Sequence, residues 1–387
     1  MLSAEEQAYL RAHSNEAYDL LLTLAQIPAP SNHEEQRRDF CVRWLKGIGA
    51  EGVYTDSALN VVYPIGVEED KPVVIFMAHM DVVFPDTEPL PLKEANGRVY
   101  CPGVGDDTAN VAALLLAAKY VTQKALFPRD CGVLFVCNTG EEGMGNLKGS
   151  RKICEDYQGR IKAVFSFDGT MAGVVNRAVG SHRFRVTVRT QGGHSYQNFG
   201  RTNAIAVLAK LIADIYELKV PLRGKTTYNV GTIEGGTSVN SIAQEASMLC
   251  EYRSDEEDSL ARMEGAFAQL FARYNQPEAG IHVQVERVGV RPCESLSPEE
   301  AAERGKLVED AAALLTRLTG RSPRLGPSST DCNIPLSEGI PSVCFGACFG
   351  EGAHTREEYV ERASLALGYE AVLETVLQYF KGSGQTV

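Results

Sequence analysis

Four apolar runs in this sequence end on side chains that have no packing reason to be there. VVIFMAHMDVV (73–83) carries the pair His79-x-Asp81, and CGVLFVCNTGEEG (131–143) runs into Glu141 and Glu142. IKAVFSFDG (161–169) stops on Asp168, and His354 follows the run GIPSVCFGA (339–347). A further pair, Asp106-Asp107, opens a long apolar stretch. Taken singly, each has a plain explanation: a helix N-cap for Asp106-Asp107, a strand-ending turn for Asp168-Gly169, a surface loop for His354. Together and in this order they read as one cluster. Ionised carboxylates a few ångströms apart repel strongly, and divalent cations remove that conflict. A mixed imidazole and carboxylate set suits zinc, with cobalt or manganese as alternatives. No cysteine belongs to the set, which favours a site with open positions over a closed structural one. In an extended segment His79 and Asp81 point the same way, so either both enter the site or Asp81 braces the imidazole.

Strands must carry these groups. Continuous Val/Ile/Phe runs are the pattern of strands buried on both faces, as in parallel sheets. Between them lie helical patterns at 5–26, 33–48, 108–123, 297–318 and about 361–381, with strand-like VYTD and NVVYPI near 53–65 and a polar, Pro-rich loop at 85–98. Strands alternating with helices predict an α/β fold with a mostly parallel central sheet flanked by helices. In such sheets ligands bind outside the carboxyl ends of the strands, where all these groups fall. From about 182 the pattern changes to half-exposed alternation: HRFRVTVRT, TTYNVGTIEGG, EASMLCEYRS and IHVQVERVGV, with helices near 201–217 and 255–274. That set predicts an inserted ferredoxin-like α+β domain over 181–290, with the α/β domain formed by 1–180 and 291–387.

Composition narrows the partners. The 387 residues contain 38 basic and 50 acidic side chains, a net charge of −12, which argues against nucleic acid or an anionic membrane surface. The N-terminal stretch is acidic and helical in pattern, with no signal-peptide organisation, and no run is long enough for a membrane span. The ten cysteines are scattered without a CxxC pair, so free, buried thiols in a reducing, cytoplasmic setting are expected. No P-loop or dinucleotide-binding glycine motif follows a strand.

The order HMD, GDDTAN, EEG, DG and AHTREEYV resembles the dinuclear-zinc peptidase family M20, over nearly the whole chain. Its members include aminoacylases, acetylornithine deacetylase, succinyl-diaminopimelate desuccinylase, tripeptidase T and glutamate carboxypeptidases. Residue by residue, the resemblance implies that His79, Asp106 and Asp168 hold one zinc and that Asp106 bridges to a second, completed by Glu142 and His354. Asp81 would then orient His79 from behind. Glu141 would be the general base toward a bridging water, so that two adjacent glutamates divide ligation and proton transfer between them. Thr108 stands where the family usually has lysine, and Glu251 and Arg253 stand in place of its D-x-R pattern.

In the inserted domain, QGGHSYQNFGRTNAI contains His194, GGTSVN contains Asn240, and EYRS contains Arg253. The resemblance implies that His194 reaches across a homodimer interface to a partner's site, and that Asn240 and Arg253 hold a substrate carboxylate or a neighbouring polar group. PSSTDCN (327–333) resembles the family's substrate-pocket loop. The expected activity is metal-dependent hydrolysis of an amide bond in small peptides, by an aminopeptidase or a di- or tripeptidase. A deacylase acting on an N-acyl amino acid is the alternative. A metal-dependent binding protein without catalysis would lack Glu141 or a ligand, and none is missing.

Overall fold

A computed structural model describes residues 1–380. The chain divides into two compact units, one formed by Met1–Ala178 together with the segment from Ser295 onward, the other by Val179–Glu294.

The first unit is built on an eight-stranded mixed, mainly parallel sheet. Across it run Tyr54–Thr55, Val61–Ile65, Gly132–Asn138, Val73–His79, Ile161–Phe167, Ser342–Phe345, Gly173–Ala178 and Arg324–Ser328. The four strands Gly132–Asn138, Val73–His79, Ile161–Phe167 and Ser342–Phe345 are mutually parallel neighbours. Every residue of Val73–His79 is buried. Val74, Phe76 and Ala78 join one apolar cluster with the helices Ser14–Gln26, Ala109–Gln123 and Leu365–Leu377, while Val73, Ile75 and Met77 join another with Leu134, Val136 and Val164. Alternate residues thus meet two separate cores, which is why the run is apolar throughout. The helix Ala109–Gln123 is buried on nearly all sides, from Ala109 through Val121.

Several expectations are corrected. The helix expected over 5–26 is two helices, Ala4–Ala12 and Ser14–Gln26. The break falls at His13, whose Nδ1 lies 2.9 Å from the Tyr9 carbonyl oxygen, a side chain competing for helical backbone. The segment 85–98 is not only loop. Lys93–Ala95 and Arg98–Tyr100 form a hairpin around Asn96-Gly97, both at positive φ (53° and 73°), the turn that Asn-Gly favours. Tyr359–Glu361 and Gly350–Glu351 extend it to a four-stranded sheet. The last helix is Leu365–Leu377 after a short turn at Arg362–Ser364; residue 381, the expected end, lies outside the described residues.

The second unit is a four-stranded antiparallel sheet in the order Thr226–Gly235, Glu245–Ser254, Gly180–Arg189, His282–Arg291. With the helices Ala204–Tyr216 and Glu257–Tyr274 this is the βαββαβ ferredoxin-like arrangement. Glu245–Ser254 alternates buried and half-exposed residues along its length, and Val207, Leu208, Leu211 and Ile215 bury one face of the first helix.

Candidate metal centre

His79 is the last residue of its strand, and its backbone N–H donates to Asp107 Oδ2 at 2.9 Å. Its Nδ1 lies 3.0 Å from the Asp81 carbonyl oxygen and 3.5 Å from Asp81 Oδ1. The main chain of Asp81 therefore orients the imidazole more closely than its carboxylate does. That leaves Nε2 facing Asp106 Oδ1 at 3.1 Å. The other oxygen of Asp106 lies 3.2 Å from His354 Nε2, and the same nitrogen is 2.8 Å from Glu142 Oε1. Asp106 thus stands between two imidazoles, one on each carboxylate oxygen.

The Asp81 carboxylate has other work. It accepts the backbone N–H groups of Glu141 (3.0 Å) and Glu142 (2.9 Å) and the Ser31 hydroxyl (2.7 Å). Both glutamates are consequently hung from the residue that also positions His79.

Donor atoms gather in overlapping groups, each within 4.8 Å: His79, Asp106, Asp107 and Asp168; His79, Glu141 and Glu142; Asp106, Glu142 and His354. Asp106 belongs to two of them. Asp107 is already engaged on both oxygens, by His79 N–H and by Asn110 Nδ2 at 2.5 Å, so it braces the cluster from below.

The charges show what the cluster lacks. Burial, together with Asp106, pushes the Asp168 carboxyl well above its ordinary range, and burial does the same to Asp107. Glu142 is also raised, first by burial, and the bond from His354 only partly offsets this. Burial alone would lower His79, but Asp107, Asp106 and Asp81 outweigh it and hold it well above its usual value. His354 is raised to about 10 by its bonds to Asp106 and Glu142. Without a cation, burial and mutual repulsion favour the protonated forms of Asp107, Asp168 and Glu142, while the imidazoles beside them hold Asp106 and Asp81 toward the ionised form. Nitrogen and oxygen donors in overlapping groups fit two divalent cations, which would take the protons' place.

Some residues were missed in the sequence. Asn110 donates to Asp107, Gly105 O (3.3 Å) and Gly169 O (3.1 Å), and accepts from Ala347 N–H at 2.6 Å, tying together the segments that carry Asp106, Asp168 and His354. Its one signal is its place in GDDTAN. Arg37 is wholly buried and donates to Met80 O and Ile27 O, each at 2.7 Å, and to Thr108 Oγ1 at 3.3 Å. A guanidinium from another helix therefore sits against Thr108. Asp331 of the 327–333 loop is buried against Asn138 at 2.6 Å, its carboxyl raised to about 7 by burial and by Glu141.

His194, Asn240 and Arg253 lie in the second unit. Gly193–His194 pairs with Ser241–Ile242, and Ser195 N–H donates to Asn240 O at 2.9 Å, so His194 and Asn240 share one corner. Arg253 sits near the far end of Glu245–Ser254, where its guanidinium makes a two-point pair with Glu251 at 2.7 and 3.0 Å.

Against known proteins, the family model described as Peptidase family M20/M25/M40 matches residues 75–378. An acetylornithine deacetylase from Myxococcus xanthus is 26% identical over 319 residues, 79% of this chain and 80% of that protein. A tripeptidase from Staphylococcus aureus superposes with a TM-score of 0.72 at 22% identity, over 94% of this chain and 99% of that one. A dinuclear metal-binding M20 peptidase from Bacillus subtilis gives 0.60 at 17% identity, over 95% and 99%. These solved structures share the fold of this chain. The match spans all five strand-end and loop motifs from His79 to His354, and on that ground the chain belongs to peptidase family M20/M25/M40, the metal-dependent amide hydrolases.

Proposed function

We propose that this protein is a dinuclear-zinc hydrolase cleaving an amide bond in small peptides, as an aminopeptidase or a di- or tripeptidase. The observation that carries this reading is Asp106 set between His79 and His354, with Glu142 beside His354 and Glu141 next in the chain. His79, Asp106 and Asp168 would hold one cation; Asp106, Glu142 and His354 the other. Bound there, two zinc ions would supply Lewis acidity for the scissile carbonyl and acidify the attacking water toward neutral pH. Glu141 takes the proton from that water as the C–O bond forms and returns it to the nitrogen as the C–N bond breaks. Asp81 fixes the backbone at Glu141 and at Glu142 through their N–H groups.

His194, Asn240 and Arg253 are the substrate-contacting residues of this reading, as the family resemblance implies. His194 and Asn240 are at one end of Glu245–Ser254 and Arg253 at the other, on the order of 30 Å apart at about 3.3 Å per residue. No small substrate touches both ends at once, so these residues serve one substrate only if some of them come from a second copy of the chain. Tyr196, Phe199 and Val239, all about nine-tenths exposed or more, surround that corner and suit coverage by a homodimer partner. All ten cysteines are free and buried, in keeping with a reducing, cytoplasmic setting. Among the described residues no helix is long and apolar enough to cross a membrane.

The second reading, a deacylase for N-acyl amino acids, draws on the similarity to an acetylornithine deacetylase. A panel of free dipeptides, N-acetylated dipeptides and N-acetylated amino acids, with zinc, cobalt or manganese, separates the two. Cleavage of free peptides is the expected result. Cleavage of N-acyl amino acids alone selects the deacylase, and no cleavage by metal-loaded protein sinks both.

A further inference from the structure

Glu358 lies four residues beyond His354 and is 2% exposed. Its partners are backbone amides: Oε2 accepts Gly103 N–H at 2.7 Å, and Oε1 accepts Gly105 N–H at 2.7 Å and Asp106 N–H at 2.8 Å. Its own carbonyl oxygen accepts Cys101 N–H at 3.2 Å. One residue thus closes the whole loop that ends on Asp106. The glycines of that loop permit the approach, since a Cβ on Gly105 would stand 3.2 Å from Glu358 Oε1. On the other side, Glu358 N–H reaches Thr355 O at 3.4 Å, and Thr355 bonds Gly352 O through both N–H (2.9 Å) and Oγ1 (2.7 Å). His354 sits inside that turn at a φ of 65°, unusual for a residue with a Cβ.

We infer that Glu358 is a positioning residue that sets Asp106 against His354, and so determines whether the cation position shared by Asp106, Glu142 and His354 forms. His79 and Asp168 are fastened to other elements, the strand ends of Val73–His79 and Ile161–Phe167. Disturbing Glu358 therefore weakens one position more than the other. The carboxylate is required by its donors. Glutamine in its place keeps one oxygen but sets an NH2 against a peptide N–H, most directly that of Gly103, leaving a buried donor unpaired.

This inference rests on the two-cation reading, and the experiment separates the failure of one from that of the other. Chelator-stripped wild type and Glu358→Gln are titrated with Zn2+ by calorimetry, and thermal unfolding is recorded on the metal-free forms. The expected result is two equivalents for wild type. For the variant, the equivalent held by Asp106, Glu142 and His354 weakens about tenfold or more, and the other, which keeps His79 and Asp168 beside the shared Asp106, weakens less. A folded variant that takes two equivalents at wild-type affinities overturns the inference, whatever its melting temperature, because Glu358 would then be merely structural. If Glu358→Gln does not fold, Gly105→Ala, whose Cβ presses on Oε1, replaces it with the same two outcomes. A wild type that binds fewer than two equivalents overturns the two-cation reading itself.

Discussion

At the scale of single residues, two adjacent glutamates and one aspartate carry most of the expected chemistry. Glu141→Gln should fold and keep its metal content while kcat falls by about 10²- to 10⁴-fold; near wild-type turnover in a metal-replete variant would remove Glu141 from the base role. His79→Ala should abolish one cation position. Asp81→Ala should reduce metal affinity by less, about 10- to 100-fold, but lower kcat as well, because it releases the Glu141 and Glu142 amides together. A kcat unchanged in metal-saturated Asp81→Ala would contradict that coupling. The protons stored in the cluster set a pH signature. His354 is raised to about 10 in the fold, against about 6.5 when unfolded. Its contribution to the metal-free protein is therefore complete below about pH 6.5 and lost as pH climbs through about 10. Asp107 and Asp168, raised mainly by burial, act in the same direction from about pH 4 upward, since the fold favours their neutral forms. The melting temperature of the stripped protein should fall across that window while zinc affinity rises. A flat or rising melting temperature would refute the account.

At the scale of elements, the strands deliver the candidate ligands and the turns after them fix where those side chains stand. Gly346, just past Ser342–Phe345, allows the neighbouring strand's turn to pass close by: a Cβ there would lie 2.1 Å from Gly169 O. Gly346→Ala should push the Asp168-Gly169 turn aside, costing about 1–3 kcal/mol of stability and weakening zinc binding. Denaturant unfolding and metal titration measure the two effects, and wild-type values in both would show that the turn has slack. The buried strands were legible because burial on two faces writes itself as an unbroken apolar run. Gly173–Ala178 and Arg324–Ser328 were not, since GVVNRA and RLGPS are short, partly exposed segments with no such run. The hairpin at 93–100 did have a signal, Asn96-Gly97, but its three-residue strands are too short to show alternation.

At the scale of the whole molecule, the proposal is that each site is completed by a second copy. Subunits carrying Glu141→Gln and subunits carrying His194→Ala should each be nearly inactive alone. Mixed, they should form heterodimers in which the chain carrying His194→Ala keeps its own Glu141 and receives His194 from its partner, restoring one site in two. No recovery in mixed dimers, shown to have formed, would place His194 outside the partner's site. The sequence by itself determined the α/β class and the strand ends on which the candidate ligands sit, because strand burial and residue type are local properties of the chain. Only the tertiary structure decided that Asp106 faces two imidazoles, that Asp81 holds both glutamates, and that Glu358, Asn110 and Arg37 brace the centre. Those roles are hydrogen bonds between segments far apart in the chain, 252 residues in the case of Glu358 and Asp106. A buried carboxylate that accepts peptide N–H groups leaves no pattern among its own neighbours.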